Sequence, residues 1–209
     1  MRKFELIVGL IGILGIFLKV AFHLPGSGVL IVLAFGTLSM FYYVFSFALF
    51  NGIRFRDFFR KASYKDTNAK KIIGAVGLGW ALSLIVIGGL FKLQLWAGAN
   101  VQLLTGLVTI GLILVIATVF YFRNKAEYYK RIFKRIAIYG AFGLVLYLTP
   151  SSTLVDIYYR NNPDYAELFK KVLTAPDNLE LREQLEQMRA KMQGDTLYPE
   201  LKDELDNEK

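Results

Sequence analysis

Cysteine is absent from this chain of 209 residues, and histidine occurs once, at His23. The first absence excludes disulfides, thiolate metal ligands and cysteine nucleophiles. A metal site built from histidine and cysteine is also excluded, because a single histidine supplies a single ligand. We therefore predict that the protein holds neither a metal nor a cofactor.

Acidic residues are scarce through most of the chain. Residues 1–155 contain 17 Lys/Arg against 4 Asp/Glu, a net charge of +13, whereas residues 156–209 contain 8 against 13, a net charge of −5. The acids before the distal tail are predicted to lie at water-exposed edges without forming a general acid–base pair; they are Glu5, Asp57, Asp66, Glu127 and Asp156. No phosphate-binding glycine loop and no Ser/His/Asp arrangement is found either. We therefore predict no catalytic residues and no enzymatic activity.

Hydrophobic residues, in contrast, make up 55% of the chain. They fall in runs of roughly 20, the length that crosses about 30 Å of hydrocarbon as a helix. The predicted fold is an all-α membrane protein whose five transmembrane helices contact the lipid bilayer. The predicted spans cover residues 4–22, 29–50, 72–91, 101–122 and 136–155. Pro150 makes the far end of the fifth span irregular.

The spans form two similar hairpins, at about residues 4–50 and 72–122, within a membrane domain of residues 1–155. Both hairpins enter from the same side, which makes them a parallel repeat. The first span also has features of a signal peptide, with Gly26-Ser27-Gly28 as the small-residue site. Its length and the second span directly after it favour a retained helix.

The distribution of basic residues predicts the orientation. The N-terminus and the two long connections contribute 2, 7 and 6 Lys/Arg, whereas the two short turns contribute only Lys19 and Lys92. Cytoplasmic connections carry the excess of Lys/Arg. The protein is therefore predicted in a bacterial inner membrane, with its N-terminus cytoplasmic and its C-terminus periplasmic. No nucleic-acid-binding motif accompanies the charge, so we predict no nucleic-acid partner.

The first basic connection, residues 51–71, alternates aromatic and basic residues. This pattern is compatible with an amphipathic helix on an anionic leaflet. It is equally typical of a solvated basic loop with aromatic anchors.

Beyond the spans, residues 156–194 are predicted to form an extracytoplasmic helical hairpin. Asn162 and Pro163 begin one helix that runs to about Thr174, and Asp177 or Asn178 begins a second that runs to about Gln193. Two such short helices bury little surface alone, so we expect them to dock on the membrane domain or on a partner. Residues 195–209 are acidic and predicted to be disordered.

The two turns contain the candidate interaction residues. They are Lys19, His23, Pro25, Gly26, Lys92, Gln94, Trp96, Gly98 and Asn100. Each turn follows a lysine near the end of a helix. Such a lysine either snorkels to the headgroups or points into the bundle to hold a carbonyl, an anionic group or a partner carboxylate. Trp96 is a typical interfacial anchor, and His23 is an interfacial polar residue or a proton-relay group.

The segment Phe91-Lys92-Leu93-Gln94-Leu95-Trp96-Ala97-Gly98-Ala99-Asn100, followed by Thr105-Gly106-Leu107, resembles the first hairpin of the gliding-motility protein GldL family. His23-Leu24-Pro25-Gly26 resembles another form of the same turn, with one extra residue after Lys19. The resemblance covers about 30 residues in each half and neither the fifth span nor the tail. It implies a role in the inner-membrane machinery of type IX secretion and gliding, beside a periplasm-crossing partner.

The chain departs from that family at one position in each hairpin. The family has an acidic residue in its second span that is thought to couple to proton flow. The matching positions are Leu38 and Ile110, and spans two and four contain no carboxylate. The resemblance therefore implies a shared hairpin architecture rather than motor chemistry.

These observations predict a non-catalytic scaffold or accessory subunit that engages a membrane or periplasmic protein through residues 156–194. A homo-oligomer is compatible with the same sequence. The alternative is a small transporter or channel between the two repeats. Intramembrane polar groups that could line such a path are few, namely the two lysines and scattered hydroxyls such as Thr37, Ser39, Ser46 and Ser83.

Overall fold

The computed structural model describes residues 1–24, 26–65 and 67–193. This part of the chain contains eight α-helices and no β-strand. The helices are α1 (Arg2–Ala21), α2 (Ser27–Asn51), α3 (Ala69–Leu93), α4 (Ala99–Asn124), α5 (Glu127–Leu148), α6 (Ser151–Tyr158), α7 (Pro163–Thr174) and α8 (Leu179–Gln193).

The predicted spans correspond to long apolar helices, with one difference. Four helices, α1 to α4, are long and apolar enough to cross a membrane, and α5 with α6 supplies a fifth span if the pair counts as one broken crossing. The fifth span, predicted over residues 136–155, is interrupted at Pro150, where the sequence predicted an irregular end. The helix starts earlier, at Glu127, and ends at Leu148, because Pro150 has no backbone N–H and disfavours helical backbone at Thr149, which is extended.

The same break divides the chain into two compact units, Met1–Thr149 and Pro150–Lys209. The boundary lies six residues before the predicted one at 155/156. The predicted tail of residues 195–209 lies outside the described residues.

Helix α3 is the centre of the first unit. It packs against α2, α4 and α5, while α1 packs against α2 at the edge. Leu78, Leu82 and Ile85 of α3 are fully buried, which is the expected result for a helix that is apolar all round and enclosed by neighbours.

The outer surface of this unit is apolar. Only 17% of the most apolar 18-residue stretch of α1 is buried, against 50% for that of α3. The exposed residues of α1 include Leu6, Leu10 and Ile13. Water would disfavour so continuous an apolar surface, whereas hydrocarbon tails are a compatible solvent. The chain is an all-α membrane protein with apolar helices facing lipid.

Close approach of α2 and α3 depends on a glycine. A Cβ at Gly79 would lie 2.0 Å from the Ser46 Oγ and 2.7 Å from the Tyr42 carbonyl oxygen. Only glycine allows the two backbones to meet at this point, which is how helices commonly pack in membranes.

The two hairpins share one register. Helices α1 and α3 end at Ala21 and Leu93, and α2 and α4 begin at Ser27 and Ala99, each pair being 72 positions apart. In this register Lys19 corresponds to Phe91 rather than to Lys92. The two lysines therefore differ by one residue, roughly 100° around a helix, which agrees with the extra residue after Lys19 in the sequence.

The first basic connection is a loop and not an amphipathic α-helix. It contains two short 3-10 turns, Phe55–Asp57 and Lys61–Tyr64. Phe55 and Phe58 pack against Phe45 with ring centroids 5.3 Å away, and Tyr64 stacks on Phe47 at 5.4 Å. The aromatic residues thus anchor the loop to the end of α2, while Phe59 stays exposed.

In the second unit, α7 contacts α6 and α8. Helices α7 and α8 lie where the sequence placed them, and the Asn178 Oδ1 caps α8 by accepting a hydrogen bond from the Leu181 amide at 3.2 Å. Tyr165 is buried, with its ring centroid 4.6 Å from that of Tyr159. Lys170 and Asp156 form an ion pair at 2.9 Å.

Candidate functional site

A polar cluster joins the two hairpins at the end of the bundle that contains both turns. From α1, the Lys19 Nζ donates to the Leu93 carbonyl oxygen at 2.9 Å and to the Gln94 Oε1 at 3.1 Å. These acceptors lie at the end of α3, where the last carbonyl groups of a helix lack intrahelical partners. An ammonium at this position also complements the negative end of the helix dipole.

Gln94 extends the connection to α2. Its Nε2 donates to the Gly28 carbonyl oxygen at 2.9 Å, while its Oε1 accepts from Lys19. The amide therefore uses its acceptor toward α1 and a donor toward α2, an arrangement that fixes its orientation. The second turn is consequently bonded to both helices of the first hairpin.

Lys92 remains within its own hairpin. Its Nζ donates to the Asn100 Oδ1 at 2.8 Å, and the residue is only 2% exposed. Lys19 is half-buried. Both side chains thus point into the protein and hold amide or carbonyl oxygens, which agrees with the second of the two predicted orientations and excludes snorkelling for Lys92.

The remaining candidates shape the turns. His23 and Leu95 occupy the left-handed region at φ 51° and 59°, and Gly26 and Gly98 occupy it at φ 85° and 81°. Glycine has no Cβ penalty in this region, so Gly26 and Gly98 allow α2 and α4 to begin abruptly. Pro25 lies outside the described residues.

Trp96 lies at the surface of the second turn. It is half exposed, with its ring edge-on to Phe91 at a centroid distance of 5.2 Å. This position fits an interfacial anchor.

A second polar cluster, which the sequence did not predict, lies at the opposite, basic end of the bundle. The Glu5 carboxylate of α1 accepts hydrogen bonds from Arg135 of α5, Nε to Oε1 at 2.9 Å and Nη2 to Oε2 at 2.5 Å. The Tyr42 hydroxyl of α2 donates to the same carboxylate at 2.5 Å. One carboxylate therefore links three helices.

This ion pair is buried. The side chains of Arg135 and Glu5 are 8% and 11% exposed, and Tyr42 is fully buried. The Arg135 guanidinium also lies 5.2 Å from the Phe50 ring centroid. Bidentate pairing and a cation–π contact satisfy the charges where water cannot.

The expectation that Glu5 lies at a water-exposed edge is therefore wrong. The sequence places Glu5 next to Arg2 and Lys3, which suggests a solvated end. Its partner is 130 positions away, so no local pattern reveals the pair. The available signal was a carboxylate within an apolar helix, which usually requires a partner.

Core side chains occupy the two positions that match the acidic residue of GldL-type hairpins. Leu38 and Ile110 are 3% and 4% exposed and belong to the hydrophobic core. The buried carboxylate of Glu5 lies on a different helix and is bonded to an arginine.

Across residues 1–24, 26–65 and 67–193, no three His, Cys, Asp or Glu side chains lie close enough together to hold a metal ion. No protein-family model, curated protein or solved structure matches this chain.

Proposed function

We propose that the protein is a non-catalytic scaffold or accessory subunit of a bacterial inner membrane, built from two GldL-like hairpins. Its partner is a membrane or periplasmic protein that contacts residues 156–194. On the resemblance of the turns, we propose a role in gliding or type IX secretion that does not use the acidic residue of that family.

The observation that carries this proposal is the pairing of the two turn lysines and of Glu5 inside the bundle. Lys19 bonds the second turn, Lys92 bonds Asn100, and Glu5 bonds Arg135 and Tyr42. Groups that bind or carry a solute need donors or acceptors available to it. Groups that bond one another across helices instead hold the helices in one arrangement, as a scaffold requires.

The packing between the hairpins favours this role over a transport path. Ala75, Leu78 and Leu82 of α3 are fully buried inside the bundle. The hydroxyls of Ser39 and Ser83, which could have lined a path, lie 2.7 Å apart and bond one another across α2 and α3.

The second unit supplies a surface for a periplasmic partner. Tyr165 and Leu185 are buried between its helices, while Leu179 and Met192 of α8 are exposed.

The test is crosslinked affinity purification from the native membrane with three versions of the protein. The full chain is expected to retain a partner, and a chain lacking residues 156–209 is expected to lose it. A chain lacking only residues 195–209 is the matched control and should retain the partner. Equal recovery of the same partner by all three chains would contradict a contact through residues 156–194, and recovery of only the chain itself would make this surface a homo-oligomer contact.

A further inference from the structure

We propose that a cavity at the basic end of the bundle binds the phosphate group of an anionic phospholipid. The cavity measures about 290 Å³ and is lined by Met1, Arg2, Leu49, Gly52, Ile53, Arg54 and Arg131. This inference does not depend on the scaffold role or on the partner of the second unit.

Three arginines from three parts of the fold surround the cavity. Arg2 lies in the first turn of α1, Arg54 in the loop after α2, and Arg131 in the second turn of α5. Guanidinium groups gathered around one space repel one another unless an anion lies between them. The positive end of the α1 dipole adds to this potential.

The two nearby carboxylates are hydrogen-bonded to other basic residues. Glu5 is bonded to Arg135, and Glu127 pairs with Lys130 at 2.6 Å. Among the residues that the structure describes, Arg2, Arg54 and Arg131 form no ion pair. The cavity therefore has a local excess of positive charge.

Arg131 is held in position for an anion. Its Nη1 donates to the Phe50 carbonyl oxygen at 3.4 Å, and it lies so close to Gly52 that an added Cβ there would be 2.5 Å away. One of five guanidinium donors is thereby used in a long bond. The planar group retains donors suited to two phosphate oxygens.

The rest of the lining suits a lipid. Leu49 and Ile53 are 3% and 7% exposed and give the cavity an apolar wall beside the cationic groups. A phosphodiester joined to glycerol and acyl chains presents the same combination of charge and hydrocarbon. The basic connections also place this end at a leaflet rich in anionic headgroups.

The test uses the full chain in neutral detergent and measures lipid retention by native mass spectrometry. The probes are phosphatidylglycerol, phosphatidylcholine and, as a soluble competitor, glycerol 3-phosphate. The pocket variant combines Arg2→Gln, Arg54→Gln and Arg131→Gln. The control variant removes the same charge from exposed residues outside the cavity, by Arg56→Gln, Lys61→Gln and Lys134→Gln.

We expect the native chain to prefer phosphatidylglycerol by about tenfold or more, because both lipids contain the phosphate but the three arginines repel the choline ammonium of phosphatidylcholine. The pocket variant should lose this preference, and the control should keep it within about twofold, because its charges lie outside the cavity and do not contact the phosphate. Competition by glycerol 3-phosphate would support the same phosphate site with a soluble source, and its failure to compete would support the lipid. Equal losses in both variants, or no preference in the native chain, would overturn the proposal. The single variant Arg54→Gln, on an exposed loop residue, gives the same distinction if the triple variant does not fold.

Discussion

Removing the carboxylate of Glu5 should destabilise the bundle more than any other single change to a polar group. The substitution Glu5→Ala leaves Arg135 only 7% exposed, without its anion and with its Nε and Nη2 donors unbonded. Breaking a buried pair on one side typically costs about 3–5 kcal/mol, because the remaining charge stays desolvated. A comparable loss is expected for Arg135→Ala, which also removes the contact with the Phe50 ring.

Replacing both partners separates this cost from the net value of the pair. In Glu5→Leu combined with Arg135→Met, no uncompensated charge remains, so the double variant should be more stable than Glu5→Leu alone or Arg135→Met alone by at least about 2 kcal/mol. The assay is reversible unfolding in mixed micelles, followed by the fluorescence of Trp80 and Trp96. Lys130→Gln on the same helix is the matched control, since it also removes the basic partner of a carboxylate, Glu127, but the pair is exposed.

The control should unfold at the same denaturant concentration as the native chain. A loss below about 1 kcal/mol for Glu5→Ala, the size expected of an exposed pair, would refute the buried ion pair. Additive effects in the double variant would refute the direct contact between Glu5 and Arg135.

Three other predictions follow from particular contacts. Lys19→Met should cost about 1.5–3 kcal/mol of stability and increase hydrogen exchange at the second turn, because a charged donor to that turn is lost. Lys92→Met should affect only its own hairpin. Equal exchange in both variants would contradict the contact between the hairpins. Gly79→Ala should prevent close packing of α2 and α3 and lower the thermal midpoint of unfolding. The control Gly77→Ala, whose Cβ would meet nothing within 4 Å, should leave the midpoint unchanged or raise it. Equal effects of the two variants would contradict the packing of α2 on α3. Burial, with a contribution from the neighbouring tyrosine, raises the pKa of Tyr165 well above its usual value, so the folded state favours the neutral phenol and stability is full below about pH 10 and falls as the pH rises above it. Absorbance titration should show a late-ionising phenol that disappears in Tyr165→Phe, and an unchanged titration would contradict this assignment.

The spans could be predicted from sequence because hydrocarbon acts on each helix locally. A run of apolar residues with charged ends is sufficient to place α1 to α4, and Gly26 and Gly98 mark the turns through their own backbone preference. Helices α7 and α8 of the second unit could be predicted equally well, because Pro163 and Asn178 are local signals for the start of a helix.

The polar clusters could not be predicted in the same way. The partner of Glu5 is Arg135, and the partner of Lys19 is Gln94, 75 positions away. Such pairs depend on how helices meet and on rotation around each helix axis. A shift of one residue between the hairpins is enough to direct Lys19 across the repeat and Lys92 back onto its own turn.

Residues 51–71 show a second reason why local structure could not be predicted from the sequence pattern alone. Their alternating aromatic and basic residues fit an amphipathic helix, but Phe55 and Tyr64 gain more by packing on the end of α2. Tertiary contacts then select a loop with short 3-10 turns over the helix that the pattern alone allows.

Labelling of single cysteines tests the membrane arrangement most directly, because the native chain contains none. Ala62→Cys, Ala97→Cys and Glu180→Cys place exposed thiols in the first basic loop, the second turn and the second unit. In spheroplasts treated with a membrane-impermeant maleimide, the cysteines at Ala97 and Glu180 should react, and the cysteine at Ala62 should react only after the membrane is permeabilised. Reaction of the cysteine at Ala62 in intact spheroplasts, with the other two protected, would contradict the orientation on which the account depends.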